Sequence, residues 1–296
     1  MTRARELFPV KTIYVDNNAT TAVAPEVLAA IEPFLKDEYF NPSSMYEQAR
    51  GPARAVAQAR DSIARLLGCD TREILFTSCA TESNNTALFG AVRANPNRRH
   101  IITSAVEHPA VLEVCKELER QGCRVTFLPV DHAGRLDAAD LVRALGQDTL
   151  LVSLMHANNE TGVVFPIEEL SRLVKETDEN ILFHTDATQS VGKLDINLAG
   201  NFQHVDMLSF SGHKLHAPKG VGALFVRRGT RLRPFLLGGH QENNRRAGTE
   251  NVAFIVGMAR ALELALQNRE AETRRLEAMR DRLQAGLEKS IPFLQV

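Results

Sequence analysis

The chain has 296 residues, of which 44% are hydrophobic and 24% are charged, and its formal net charge is -1. This balance is typical of a globular protein that acts on a small molecule, and it gives no reason to expect nucleic acid as a partner. No apolar run is long enough to cross a bilayer, and the basic start at Arg3 and Arg5 precedes only a short apolar stretch. We therefore expect no membrane segment, no signal peptide and a cytoplasmic location.

Short apolar runs alternate with amphipathic segments, the pattern of an α/β protein with a mainly parallel sheet. The predicted strands are 73–77, 100–103, 124–129, 149–154, 181–185, 207–210 and 222–226. The predicted helices are 82–93, 110–121, 138–145, 167–176 and a long one at 253–287, after which residues 291–296 resemble the start of a buried strand. Ligands of such sheets bind beyond the carboxyl ends of the strands, so the loops there hold the candidate site.

Three of these loops each have an ordinary structural interpretation. In the loop at 78–85, Thr81 stands at a helix start, where its hydroxyl caps the helix or helps to bind a phosphate. This loop lacks the lysine and the glycine spacing of nucleotide-binding motifs. His108, before Pro109, is either a helix cap or a ring that stacks on a flat cofactor and moves protons near neutral pH. The loop at 156–162 is an ordinary turn with Gly162 at positive φ.

Two later loops carry a more informative pair of residues. Lys214 follows one apolar strand, and Asp186 follows another. An amine among apolar walls loses its proton more easily than in water, so it can form a Schiff base with an aldehyde. An aspartate that faces a pyridine nitrogen keeps the ring protonated and makes it an electron sink. These two side chains are the ingredients of a pyridoxal phosphate site.

Two other groups of side chains need an interpretation. A metal hydrolase is an alternative interpretation, because several possible metal ligands occur in the second half of the chain: His184, Asp186, His213, His216 and His240. No two of these histidines have the i, i+4 spacing of common zinc-binding helices, which argues against it. The cysteines, which we expect to be free thiols because they form no CxxC pair, are Cys69, Cys79, Cys115 and Cys123. Next to the proposed phosphate loop, Cys79 is interpreted as a small buried side chain that fills the turn.

Seven segments occur in order along nearly the whole chain: YVDNNATT at 14–21, FTSCATESNN at 76–85, EHPAV at 107–111, NNETG at 158–162, HTDATQ at 184–189, SGHK at 211–214 and RAGTEN at 246–251. Together they resemble the signature blocks of the cysteine desulfurases of the NifS/IscS type, which are class V aminotransferase-like pyridoxal phosphate enzymes. Their joint occurrence is far more specific than any single block, so it overrides the structural interpretation of the individual loops.

The resemblance implies a fold, a domain division and residue roles. The fold is pyridoxal phosphate fold type I: a mainly parallel seven-stranded sheet flanked by helices in a large domain at 16–262, with an incomplete small α+β domain from residues 1–15 and 263–296. Lys214 carries the cofactor imine, Asp186 faces the ring nitrogen, Gln189 and Asn159 contact the ring-hydroxyl side, and His108 stacks on the ring and shuttles protons. The phosphate is held by Ala80, Thr81, Ser211 and His213. Thr249 reaches the phosphate of the neighbouring subunit, which implies a homodimer.

The implied activity is removal of sulfur from L-cysteine, which gives alanine and an enzyme-bound persulfide for an iron–sulfur scaffold protein. Relatives carry the nucleophilic cysteine and an arginine for the substrate carboxylate downstream of the lysine block. None of the four cysteines matches that position, so we expect the sequence to be C-terminally truncated. Two alternatives remain open: a non-catalytic pyridoxal-binding or assembly subunit, and a related lyase that acts on selenocysteine or cysteine sulfinate.

Overall fold

The computed structural model describes residues 12–294 and is built around one seven-stranded sheet. The strands are β1 Ile74–Thr77, β2 His100–Ser104, β3 Arg124–Leu128, β4 Thr149–Ser153, β5 Leu182–Asp186, β6 Met207–Ser211 and β7 Gly222–Val226. They lie side by side in the order β1-β7-β6-β5-β4-β2-β3. β7 is antiparallel to both of its neighbours, and the other pairs are parallel. The predicted strands and the mainly parallel sheet are confirmed.

The helices are α1 Pro25–Lys36, α2 Arg50–Leu67, α3 Ala80–Ala94, α4 Pro109–Arg120, α5 Ala138–Ala144, α6 Ile167–Thr177, the short turn α7 Gln241–Asn244 and α8 Val252–Ser290. The predicted helices correspond to α3, α4, α5, α6 and α8. The local sequence determines where several helices begin and end. α1 and α4 begin with a proline, which suits the first helical position because the N–H that proline lacks would have no partner within the helix there. α2 ends at Gly68, whose φ of 72° gives the left-handed cap that glycine adopts without strain.

Helices cover both faces of the sheet. Successive strand residues point to opposite faces, so Ile101 packs in the apolar cluster beneath α3 and α4, whereas Ile102 packs in the cluster beneath α2, α6 and α8. Because both faces are buried, the strands appear in the sequence as continuous apolar runs rather than as alternating patterns. This arrangement leaves the carboxyl ends of the parallel strands free to form a site.

The long helix α8 packs against the rest of the protein over only its first part. Its residues from Val252 to Leu262 are largely buried, whereas Leu276, Met279 and Leu283 are more than half exposed. This change from buried to exposed side chains falls close to the predicted domain boundary at 262/263. That division stays a prediction, and residues 1–11 of the expected small domain lie outside the described residues. Among residues 12–294, no helix has the length and apolar character to span a membrane.

The predicted strand at 291–296 is wrong over its described part. Residues 291–294 form a turn, in which Phe293 has a φ of 65° and a fully exposed side chain. A strand needs a neighbouring strand to satisfy its backbone N–H and C=O groups, and the sheet in the described part of the chain offers none to this segment. Residues 295 and 296 lie outside the described residues.

Candidate active site

A pocket of about 590 Å³ lies where the carboxyl ends of β4, β5 and β6 meet the first turns of α3 and α4. Nine of the ten predicted site residues line it: Ala80, Thr81, His108, Asn159, Asp186, Gln189, Ser211, His213 and Lys214. Thr249, the tenth, is not among the lining residues and is exposed on the surface. The sheet topology therefore brings together side chains that are up to 134 positions apart in the chain, from Ala80 to Lys214.

Lys214 ends a short 3₁₀ turn that directly follows β6. Its Nζ donates hydrogen bonds to the backbone carbonyls of Asn18 and Ala19. Burial lowers the pKa of Lys214, against the opposing effect of the Asp16 and Asp186 carboxylates. A lowered pKa increases the fraction of neutral amine, which is the form that reacts with an aldehyde.

Asp186 is the last residue of β5 and is buried. One carboxylate oxygen accepts a 2.7 Å hydrogen bond from the Asn84 amide, and the other accepts a 3.0 Å bond from the Thr188 backbone N–H. The carboxylate is thus fixed at the pocket wall. Asn84 has no predicted role, but its side chain is fully buried on α3, where a polar group needs a hydrogen-bond partner.

The phosphate end of the predicted site has donors that need an acceptor. Ala80 and Thr81 open α3, and the first amides of a helix have no partner within it, so they favour an anion. Ser211 lines the same pocket with 1% of its surface exposed, and its hydroxyl has no hydrogen-bond partner among the described residues. Leaving a buried hydroxyl unpaired costs about 1–3 kcal/mol. A phosphate oxygen would satisfy it, so this end fits the cofactor.

The turn before α3 packs closely against β7. Gly222 pairs with Ser211, and a Cβ atom at Gly222 would lie 2.7 Å from the carbonyl carbon of Cys79, so only glycine allows this approach. Cys79 itself is partly exposed and lines the pocket, rather than being buried in the turn as expected. Burial raises the pKa of both Cys69 and Cys115 to about 12, so these thiols stay protonated. All four cysteines are free, as predicted.

His108 is both a helix cap and a pocket residue. Its Nδ1 accepts a 3.1 Å hydrogen bond from the Ala110 backbone N–H at the start of α4, and the exposed ring lines the pocket. The neutral ring therefore carries its proton on Nε2. On the other side of the pocket, burial together with the charges of Lys214 and Lys219 lowers the pKa of His213, whose Nδ1 lies 3.1 Å from the Thr20 hydroxyl.

Glu107 is a buried carboxyl that joins two of the loops around the pocket. One of its oxygens accepts hydrogen bonds from the Ser104 hydroxyl at 2.6 Å and from the Met155 backbone N–H at 2.9 Å. The other oxygen has no partner among the described residues. Burial raises the pKa of Glu107 to about 8, so the carboxyl is neutral over most of the physiological range. Glu107 lies in one of the resemblance blocks, but its place in the sequence predicts no role for it.

The segment 16–21 crosses the pocket opening. The Asn18 carbonyl accepts from the Gln189 amide at 2.9 Å as well as from Lys214, and the Asn18 amide donates to the Asn159 carbonyl at 3.2 Å. Three predicted site residues thus meet at Asn18, two at its backbone carbonyl and one at its side-chain amide. The segment belongs to a resemblance block, but the sequence interpretation did not place it at the site. Across residues 12–294, no group of three or more His, Cys, Asp or Glu side chains is arranged to hold a metal ion.

These features define a class of protein. A lysine after one strand and an aspartate at the end of the neighbouring strand line a single pocket, next to a helix start and a buried hydroxyl with no partner among the described residues. Such a site, on a mainly parallel seven-stranded sheet, is that of a pyridoxal phosphate enzyme of fold type I. Comparison with known families makes the assignment specific: the chain belongs to the aminotransferase class-V family, whose model matches residues 13–296.

Known proteins similar to the chain agree with this assignment. The chain is 53% identical over 287 residues to cysteine desulfurase 2 of Trichormus variabilis, and the alignment covers 97% of the chain and 71% of the relative. It is 51% identical over 281 residues to cysteine desulfurase NifS of Azotobacter vinelandii, covering 95% and 69%. A solved NifS-like protein superposes with a TM-score of 0.91 at 41% identity, covering 94% and 76%. SspA in complex with cysteine superposes with a TM-score of 0.81 at 42% identity, covering 85% and 72%. The predicted resemblance is confirmed.

Proposed function

We propose that the protein is a pyridoxal phosphate-dependent cysteine desulfurase that removes sulfur from L-cysteine and releases alanine. The observation that carries this proposal is the pocket lined by Lys214, Asp186 and the unpaired hydroxyl of Ser211, in a chain 53% identical to a protein of that activity. Lys214 holds the cofactor aldehyde, Asp186 pairs with the ring nitrogen, and Ser211 binds the phosphate together with the start of α3.

The residues around the pocket have complementary tasks in this reaction. When bound, pyridoxal phosphate supplies a ring that draws electrons from the substrate α-carbon. Once the substrate amine has displaced it from the aldehyde carbon, the Lys214 amine, with its lowered pKa, would take the proton from the substrate α-carbon. Asp186 presents a carboxylate that Asn84 and Thr188 already hold, so little reorganisation is needed during the reaction. The Nε2 of His108 is free to exchange protons at the pocket opening.

A homodimer is part of the proposal. Tyr39, Met45 and Tyr46 are 69%, 99% and 50% exposed, and apolar patches of this kind mark protein contact sites. Ser43, in the same stretch, donates a 3.4 Å hydrogen bond to Glu250, the residue after Thr249. We propose that a second copy packs on this surface and that Thr249 reaches the phosphate of the neighbouring subunit, as the family resemblance implies. An iron–sulfur scaffold protein as sulfur acceptor and a cytoplasmic location remain expectations from the family resemblance.

The activity can be tested with the purified chain, pyridoxal phosphate, L-cysteine and dithiothreitol. Because none of the four cysteines matches the nucleophile of relatives, a thiolate of the dithiol is the group that attacks the substrate sulfur in this assay. We expect equal amounts of alanine and sulfide, with the dithiol oxidised to its cyclic disulfide so that atoms and electrons balance. Lys214→Ala should lose both products and the visible absorbance of bound cofactor while its circular dichroism stays unchanged. Lys116→Ala, at a half-exposed lysine on α4, is the matched control and should behave as the wild type.

The outcomes separate the alternatives. Cofactor absorbance without products from any substrate would support the non-catalytic pyridoxal-binding subunit. Products from selenocysteine or cysteine sulfinate, but none from L-cysteine, would support the related lyase. A wild-type chain that gains no absorbance with pyridoxal phosphate would refute all three functions, because each depends on Lys214.

A further inference from the structure

We propose that the ion pair between Arg246 and Glu82 positions the phosphate-binding turn, which is residues 78–81, from the end of β1 into the first turn of α3. The inference rests on the proposed function, because the phosphate concerned is that of pyridoxal phosphate. Neither residue lines the pocket. Their part is therefore to position groups that bind the cofactor, not to bind it themselves.

Glu82 closes the turn from one side. Its carboxylate lies in the first turn of α3, with 9% of the side chain exposed, and one oxygen accepts a 2.8 Å hydrogen bond from the backbone N–H of Ser78 at the opposite end of the turn. Arg246 binds both carboxylate oxygens, with its Nε at 2.8 Å and its Nη2 at 3.1 Å. Such forked pairs fix orientation as well as distance. The turn is thereby tied to the segment that carries Thr249, three residues beyond Arg246.

The segment that presents Arg246 is itself held rigidly. Glu242, Asn243 and Asn244 have φ values of 48°, 56° and 64°, a left-handed turn without glycine. Side chains other than glycine disfavour this conformation, so the surroundings must impose it.

The anchor of this left-handed turn is the buried Glu242 carboxylate, whose side chain is 2% exposed. Arg60 binds both of its oxygens, at 2.7 and 2.5 Å, and the backbone N–H of Phe76 donates to it at 2.9 Å. Phe76 lies in β1, two residues before the phosphate-binding turn. The segment 242–246 is therefore fixed on both sides of the phosphate-binding turn. Glu242 binds Phe76, which precedes that turn, and Arg246 binds Glu82, which follows it.

Charge gives the pair a second effect on phosphate. Glu82 stands at the helix end where the phosphate would bind, so its carboxylate alone would repel the ligand. Burial raises the pKa of Glu82, but the hydrogen bonds from Arg246 and Ser78 more than offset this and leave the pKa below its ordinary value. Arg246 thus neutralises a carboxylate that stays ionised. Removing the arginine alone should be worse for phosphate binding than removing both charges.

The test compares the affinity for pyridoxal phosphate with that for pyridoxal, which lacks the phosphate, by absorbance titration at pH 8. Arg246→Ala should weaken pyridoxal phosphate binding by roughly 10–100-fold, the range for a lost charged hydrogen bond, and change pyridoxal binding by less than about 3-fold. In the Arg246→Ala/Glu82→Gln double variant, a large part of the phosphate-dependent affinity should return, because the unpaired carboxylate is gone and the Gln oxygen can still accept from Ser78. The affinity for inorganic phosphate, measured by competition, should be highest in the wild type, lower in the double variant and lowest in Arg246→Ala.

Two controls separate positioning from general damage. Arg98→Ala breaks a partly buried ion pair with Asp178, 2.7 Å long and outside the pocket lining, and should alter neither affinity. Arg246→Lys keeps the charge without the fork and should fall between the wild type and Arg246→Ala. An equal loss of affinity for both compounds, or a double variant no better than Arg246→Ala, would overturn the inference. A wild type that binds pyridoxal phosphate no better than Arg246→Ala does would also overturn it, and one that binds no cofactor would refute the proposed function as well.

Discussion

Individual side chains at the site owe their properties to neighbours that are distant in sequence. Asp186 is held by Asn84, which is 102 positions earlier, and Lys214 donates to Asn18, which is 196 positions earlier. Each contact exists because the parallel strands end at one edge of the sheet and the segment 16–21 crosses that edge. A reactive group at this site is therefore a property of the fold, and substitutions should be interpreted through their contacts.

Glu107 gives a prediction about pH at the residue scale. Its pKa is raised from 4.5 to about 8 by burial, so the folded state binds the proton more tightly than the unfolded state. The stability that this group contributes is fully present below pH 4.5 and is lost as the pH rises towards 8. Glu107→Gln mimics the neutral carboxyl at every pH. We expect the variant to gain stability relative to the wild type between pH 5 and pH 8, by roughly 2–4 kcal/mol.

Urea unfolding at the two pH values measures this effect. Glu113→Gln is the control, because Glu113 is an exposed carboxyl on α4 whose pKa is lowered by the hydrogen bond from Lys116, and it should not produce this gain. If the free energies of unfolding of Glu107→Gln and of the wild type change in parallel from pH 5 to pH 8, the Glu107 carboxyl is not held neutral by the fold.

At the scale of elements, the left-handed turn α7 depends on one buried ion pair. The Arg60 and Glu242 side chains are 12% and 2% exposed, so removing one charge leaves the other buried without a partner. Glu242→Gln should therefore lower the free energy of unfolding by about 3–5 kcal/mol, measured by urea denaturation. Glu32→Gln breaks the exposed pair with Lys36 on α1 and should leave the unfolding midpoint unchanged. A small effect of Glu242→Gln would mean that other contacts hold the turn.

The elements also show what a sequence can and cannot predict. The strands and the helices α3 to α6 were predictable because a sheet buried on both faces requires continuous apolar runs between amphipathic helices. The turn α7 was not, since Glu242 and Asn243 adopt positive φ without the glycine that usually signals it. Residues 291–294 were apolar enough to suggest a strand, but local pattern cannot show whether a neighbouring strand is present. The pocket residues were found through the joint resemblance blocks, whereas Asn84 and Arg246 became visible only through long-range contacts.

At the scale of the whole molecule, stability should be distributed unevenly along α8. Leu262 is completely buried in the core beneath the sheet, whereas Leu283, on the same helix, is 65% exposed. Leu262→Ala removes buried methyl groups and leaves a cavity, so it should cost about 2–5 kcal/mol. Leu283→Ala should change the free energy of unfolding by less than about 0.5 kcal/mol.

Hydrogen exchange gives an independent measure of the same distribution. Backbone amides near Leu262 should exchange only through global unfolding, because the core that covers them must open first. Amides beyond residue 270, where the side chains are exposed, should exchange through local opening of the helix and should not slow when the core is stabilised by added pyridoxal phosphate. Uniform protection along the whole of α8 would contradict this picture. It would show that the exposed stripe of Leu276, Met279 and Leu283 is covered in solution, as it would be if another part of the protein or a second copy packed against it.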